Sequence, residues 1–259
     1  MQELKNRLDA EYEARNKECE LSAERPDPLM VAKKYNDEHI ALACALFAYG
    51  NAGQIVKFLS SLDFDTDDIN GSFGDKYYRF QTPTDTVRFF AALLELKKRG
   101  GVKTFFLEGY KKEHSVLEGL SVAIGGLNAI LKPDTQGLDF LVGRSEIKEN
   151  GSPLKRWNMF LRWMVRKDCL DMGLWGDAVE TKDLILPLDT HTFNVSKRIG
   201  LLDRKSYDLK SAILITEKLR EFDPLDPIKY DFAFFEIGAA GGSERQAAGI
   251  THHQLDAEV

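Results

Sequence analysis

A lysine and an aspartate 34 residues apart are the pair in this chain best suited to chemistry. Lys155 stands in Gly151-Ser-Pro-Leu-Lys155-Arg-Trp-Asn-Met-Phe, and Asp189 in Leu186-Pro-Leu-Asp189-Thr-His-Thr-Phe. An amine can attack a sugar carbon, and a carboxylate can take up a proton or steady a developing cation. Base-excision chemistry can use that combination. A lysine is ordinarily protonated at neutral pH, so such a site must desolvate its amine or set it among other cations. Arg156 and Arg162 are placed to supply the second effect.

The elements that must position this pair read as helices. Asp189 follows Leu186-Pro-Leu and opens a helix expected over 190–199, a place where aspartate accepts hydrogen bonds from the first free amides. N-capping alone would account for it, and a cap also holds a carboxylate in place. A second helix is expected over 153–170. Plotted at 100° per residue, it carries Trp157, Phe160, Leu161 and Met164 on one side, facing inward. Lys155, Arg162 and Arg166 fall within about 40° of one another on the opposite side, with Arg156 and Trp163 at the flank. A solvated surface helix explains the pattern. A cationic strip facing phosphates, extended by Lys197 and Arg198, explains it too. His191 reads as a hydrogen-bonding residue of the first helical turn. A metal-assisted hydrolase built on Asp189 and His191 is disfavoured, because side chains two apart on a helix diverge by about 200°. His39 and His114 lie beside Glu38 and Glu113 without ligand spacing, and His252-His253 falls in a polar tail. No metal and no cofactor are expected.

Breakers recur along the chain, among them Arg25-Pro-Asp-Pro28, Asn70-Gly71, Thr82-Pro83, Gly100-Gly101, Lys132-Pro133, Asp223-Pro224 and Asp226-Pro227. Between them lie helical segments over 2–21, 37–48, 52–62, 84–98, 102–111, 114–131, 206–221 and 227–236. No alternating strand run is evident, so the expected fold class is all-α. Net charge is -6 over 259 residues, which argues weakly against a general nucleic-acid binder. The charge is uneven: residues 151–210 carry +3 and the remainder -9. Three scattered cysteines fit a reducing compartment and exclude a disulfide framework. The N-terminus is charged and the longest apolar run, 40–49, is too short for a bilayer. A cytoplasmic protein without a membrane partner is expected, and a monomer.

Gly151-Ser-Pro-Leu-Lys155-Arg-Trp-Asn158 resembles the Gly-x-Gly-x-Lys-x-x-Asn hairpin of the helix-hairpin-helix DNA glycosylase superfamily, which includes endonuclease III-like enzymes. Pro153 takes the place of the second glycine. Leu188-Asp-Thr-His-Thr-Phe-Asn-Val195 is similar to that family's Val-Asp-Thr-His-x-x-Arg-Val segment, with Asn194 where the arginine stands. A bacterial subfamily resembles the chain over residues 1–238, through Ala45-Leu-Phe-Ala-Tyr-Gly-Asn51, Lys155-Arg-Trp-Asn-Met-Phe-Leu-Arg-Trp-Met, Ile185-Leu-Pro-Leu-Asp-Thr-His191 and Phe222-Asp-Pro-Leu-Asp-Pro.

The resemblance implies a two-lobed helical fold with a central cleft. One lobe is a bundle over 40–185 that includes the hairpin. The other combines 1–39 with 186–238, and a tail over 239–259 is expected to be disordered. It implies a DNA glycosylase, with or without abasic-site lyase action, whose partner is damaged or abasic duplex DNA. Lys155 and Asp189 are the implied catalytic residues. Gly151, Arg156, Arg162, Arg166, Lys197 and Arg198 are candidates for DNA contact, and Tyr49 and His191 for the base pocket. The residues leave open an inactive helical nucleic-acid-binding protein of the same fold.

Overall fold

The computed structural model describes residues 1–66, 68–234 and 237. The tail over 239–259, with His252 and His253, lies outside them. Among the described residues there are helices and no strands, as the absence of period-two patterning implies. They are α1 (Gln2–Arg15), α2 (Leu29–Tyr35), α3 (Glu38–Leu46), α4 (Ala52–Ser60), α5 (Ile69–Phe73), α6 (Pro83–Lys98), α7 (Gly101–Glu113), α8 (Val116–Leu131), α9 (Gln136–Val142), α10 (Lys155–Val165), α11 (Thr190–Arg198) and α12 (Leu209–Arg220). Four 3₁₀ segments join them, at Glu18–Glu20, Gly176–Ala178, Thr181–Asp183 and Pro227–Tyr230.

Side-chain caps set most of the helix starts. Asp37, Asn51, Thr82, Ser115, Thr135, Asp189 and Asp208 each accept a backbone N–H of the first turn. At α6 the capping box is complete, with Asp85 reaching back to the Thr82 amide at 3.0 Å and Pro83 inside the start. His114 takes a left-handed conformation and ends α7, and Ser115 starts α8 immediately after. The single helix expected over 114–131 therefore begins two residues later. The helix expected over 2–21 stops at Arg15, and the one expected over 227–236 opens as a 3₁₀ turn over Pro227–Tyr230. Helices α2, α5 and α9 are five to seven residues long, too short to show a period in sequence.

The core is one contiguous apolar cluster running from Leu8 to Ile237. Its centre is α3, whose residues Ala41 to Leu46 are all buried; a helix apolar on every side belongs inside a fold. The small side chains Ala41, Ala43, Cys44 and Ala45 let neighbouring helices approach, and α10 packs on α3. The α7–α8 pair also packs closely. A Cβ at Gly109 would stand 2.4 Å from the Glu118 carbonyl oxygen, so only glycine allows that contact.

Helix α10 corrects an expectation. It is not a surface helix with one solvated face: every residue from Trp157 to Val165 is buried, Arg162 included. It also stops at Val165, because Arg166 turns to an extended backbone and the chain folds back on itself through Asp168–Asp171.

Candidate functional site

Two helix starts converge on one open cavity of about 820 Å³. The first is α10, entered from Gly151-Ser-Pro-Leu154; the second is α11, entered through Asp189. Lys155, Asp189, Tyr49, Gly151, Arg156 and His191 all line it, so six of the ten residues singled out from sequence share one space.

Lys155 is the first residue of α10 and half-buried. Its Nζ lies 3.6 Å from the Met159 sulfur, so the side chain runs forward along its own helix. Asp189 accepts the Thr192 amide at 2.8 Å as the N-cap of α11. The cap leaves the carboxylate half-buried on the cavity wall. The α10 start has no side-chain cap, and Leu154 before it adopts a left-handed conformation at φ 53°. First-turn amides of a helix lack intrahelical acceptors, and residues 154–157, which carry them here, line the cavity.

Arg156 is held differently. Its guanidinium donates to the Leu46 carbonyl oxygen at 2.5 Å and to the Phe140 carbonyl oxygen, and lies over the rings of Tyr49 (5.3 Å) and Phe140 (4.8 Å). Burial lowers its pKa to about 10, against the opposing effect of Tyr49, which leaves it cationic at neutral pH. Tyr49 donates to Gln81 and to the Tyr78 carbonyl oxygen at 3.3 Å. His191 is exposed, with Nε2 3.3 Å from the Phe234 carbonyl oxygen.

The remaining four candidates lie elsewhere. Arg162 and Arg166 were expected to extend a phosphate-facing strip; instead they are buried and consumed by carboxylates. Arg162 pairs with Asp171 (3.1 Å) and with Asp231. Arg166 pairs with Asp226 (2.8 Å), Asp168 (3.0 Å) and Asp171. The cause is the chain reversal after Val165, which lays Asp168 and Asp171 beside the face the helical plot left open, while residues 226–231 cover it from the other side. Arg162 is therefore not a spare cation beside the Lys155 amine. Lys197 and Arg198 are exposed and outside the cavity lining; Lys197 lies 5.4 Å over the Phe193 ring and Arg198 donates to the Ile237 carbonyl oxygen at 3.1 Å.

Sequence reasoning missed several residues of the wall. Arg144 and Lys148 bring the lining to four cations, with Lys155 and Arg156, against two carboxylates, Glu146 and Asp189. Tyr207 donates to the Leu188 carbonyl oxygen at 2.9 Å, and burial, reinforced by Asp189, raises its pKa to about 12. Asp231 lies within electrostatic reach of both Lys155 and Asp189. Burial raises its carboxyl pKa and Asp189 adds to the effect, while Arg162 and Lys155 oppose it. The block Asp-Pro-x-Lys-Tyr-Asp231 carried the only available signal, a run of carboxylates in a buried setting. Away from the cavity, His114 meets Glu180 and Asp183 with ligand atoms within 4.8 Å of one another, a grouping the local spacing of His114 could not show. Tyr110 and Lys182 already bond its carboxylates, Asp183 at 2.5 Å and Glu180 at 2.6 Å.

No helix among the described residues is long and apolar enough to cross a membrane. A family model described as a protein of unknown function, DUF2400, matches residues 27–240. No curated protein and no solved structure matches the chain.

Proposed function

The chain belongs to the DUF2400 family, and we propose that it is a DNA base-excision glycosylase that holds a flipped base in the cavity between α10 and α11. The observation that carries this reading is that Lys155 and Asp189, 34 residues apart in sequence, line one cavity of about 820 Å³. That volume lies within the ordinary range of ligand sites.

The cavity also suits a polyanion. Its four cations outnumber its two carboxylates, and the uncapped start of α10 presents amides and the positive end of a helix dipole. In this reading the Lys155 amine attacks the sugar carbon that carries the base. A carbon–nitrogen bond forms, and the glycosidic bond breaks as the base departs with its electron pair. Asp189 accepts the amine proton or stabilises the positive charge that develops on the sugar. The segment Gly151–Asn158, which leads into α10, would serve as the hairpin. The two lobes would be 40–185 and 1–39 with 186–238. The contact of Tyr230 with Asp9, at 2.8 Å, favours that grouping by tying α1 to the 3₁₀ turn over 227–230.

The test is borohydride trapping on duplexes that carry an abasic site, oxidised guanine, uracil or alkylated adenine. A covalent adduct is expected with the wild type and should vanish in Lys155→Ala. Base release without trapping, dependent on Asp189, would make the protein a monofunctional glycosylase. Salt-sensitive DNA binding with neither product would leave a binding module of the same fold.

A further inference from the structure

At the rim of the cavity the chain exposes aromatic surface on a rigid support. Phe80 is 53% exposed and Phe140 41%. Their ring centroids are 4.9 Å apart, edge to face. Tyr49, which lines the cavity, stacks on Phe80 at 6.0 Å with planes 7° apart and meets Phe140 at 4.9 Å. The three rings make one surface that begins on the cavity wall and continues outward to Phe80.

The support is tight. Residues 78–81 form a turn closed by backbone hydrogen bonds between Tyr78 and Gln81, with Arg79 at φ 51°. Gln81 is 2% exposed and donates to the Gly137 carbonyl oxygen at 2.7 Å. A Cβ on Gly137 would stand 2.4 Å from the Phe80 carbonyl oxygen, so the turn is pressed against the start of α9, the helix that carries Phe140. A large apolar ring held in water by a buried, fully bonded scaffold adds nothing to the core.

Charge indicates the occupant. The Arg79 guanidinium lies 5.7 Å from the Phe80 ring and 6.0 Å from the Tyr49 ring, and Arg156 lies over Tyr49 and Phe140. Neither arginine has a carboxylate partner among the described residues. Aromatic rings beside guanidiniums whose charge no carboxylate of the described residues meets match a nucleobase and its adjoining phosphate. An apolar protein segment would leave the Arg79 cation unanswered.

We propose that Phe80, Phe140 and Tyr49 form a stacking platform for an unpaired nucleobase beside the cavity, with Arg79 on its phosphate. The proposal rests on the nucleic-acid reading of the cavity and adds a second base position to it.

Binding of three labelled oligonucleotides tests it: a single strand, a duplex with one bulged base and the same duplex fully paired. The wild type should prefer the first two. Phe80→Ala and Phe140→Ala should each weaken bulge and single-strand binding roughly five- to hundredfold while changing paired-duplex binding little. Phe80→Tyr should retain the preference. Phe80→Leu should lose it, since leucine keeps an apolar side chain without a ring. Wild-type preference that survives Phe80→Ala and Phe140→Ala would overturn the platform and leave the Lys155–Asp189 reading standing. Loss of concentration-dependent self-association in the same variants, with unchanged oligonucleotide binding, would assign the patch to a protein interface and overturn it as well. No binding of any oligonucleotide by the wild type would remove both readings together.

Discussion

The two ends of α10 carry the same charge on the same helical stripe and have opposite fates. At the N-terminal end Lys155 is half-buried, faces a cavity and meets no carboxylate of the described residues within ion-pair distance. Two turns on, Arg162 and, just past the helix end, Arg166 are buried and share four aspartates, Asp168, Asp171, Asp226 and Asp231. A buried cation must be paired or its desolvation cost is uncompensated. A cation at a cavity wall can stay unpaired because water, or a substrate, completes it. The C-terminal end is thus a structural lock that joins α10 to the reversal after it and to residues 226–231. The N-terminal end is the part of the helix left available for chemistry.

Breaking the lock should have the largest effect. Asp171 bridges both arginines, so Asp171→Ala would leave two buried guanidiniums short of a partner at a cost of about 3–5 kcal/mol. Thermal unfolding would read this as a large fall in Tm. Lys155→Ala, on the same stripe, should stay within about 0.5 kcal/mol of the wild type. Equal losses in the two variants would erase the distinction between the two ends.

The lock should also be acid-sensitive. Burial works against the charged form of Asp168, but Arg166 outweighs it with help from the Leu170 and Asp171 amides, and the carboxyl sits below its ordinary value of 3.8. A depressed acid contributes stability that is fully present above its unfolded-state pKa and is lost as pH falls through the folded one. Urea unfolding at a series of pH values should therefore show a decline below about pH 4, and Asp168→Asn should be less stable near neutrality with a shallower acid decline. A decline of unchanged slope would remove Asp168 from the lock.

The smallest effect sharpens the functional end. Asp189→Ala removes the α11 cap at a cost of about 1 kcal/mol, whereas Asp189→Asn preserves the cap and removes only the charge. If Asp189 serves chemistry as well as capping, the asparagine variant should unfold like the wild type and still lose base release or trapping. Full activity in a stable Asp189→Asn protein would reduce the residue to a cap.

Local signals in the chain determined a good deal. Capping residues and prolines set where helices start, because an amide without an intrahelical acceptor must find one nearby in sequence. The missing period-two pattern excluded strands among the described residues. The residues around Lys155 and Asp189 marked two helix starts with complementary chemistry, and these line one cavity together with Tyr49, Arg156 and His191. What no local pattern carries is which distant residues cover a given face. The plot of α10 placed Arg162 and Arg166 on an open side, and the approach of Asp171, Asp226 and Asp231 closed it. The cavity wall drew on Arg144, Lys148 and Tyr207, and the rim on Phe80 and Phe140, through long-range packing alone. Helix periodicity reports which side chains share a face; burial and pairing depend on what the rest of the chain lays against that face, and only the tertiary structure decides that.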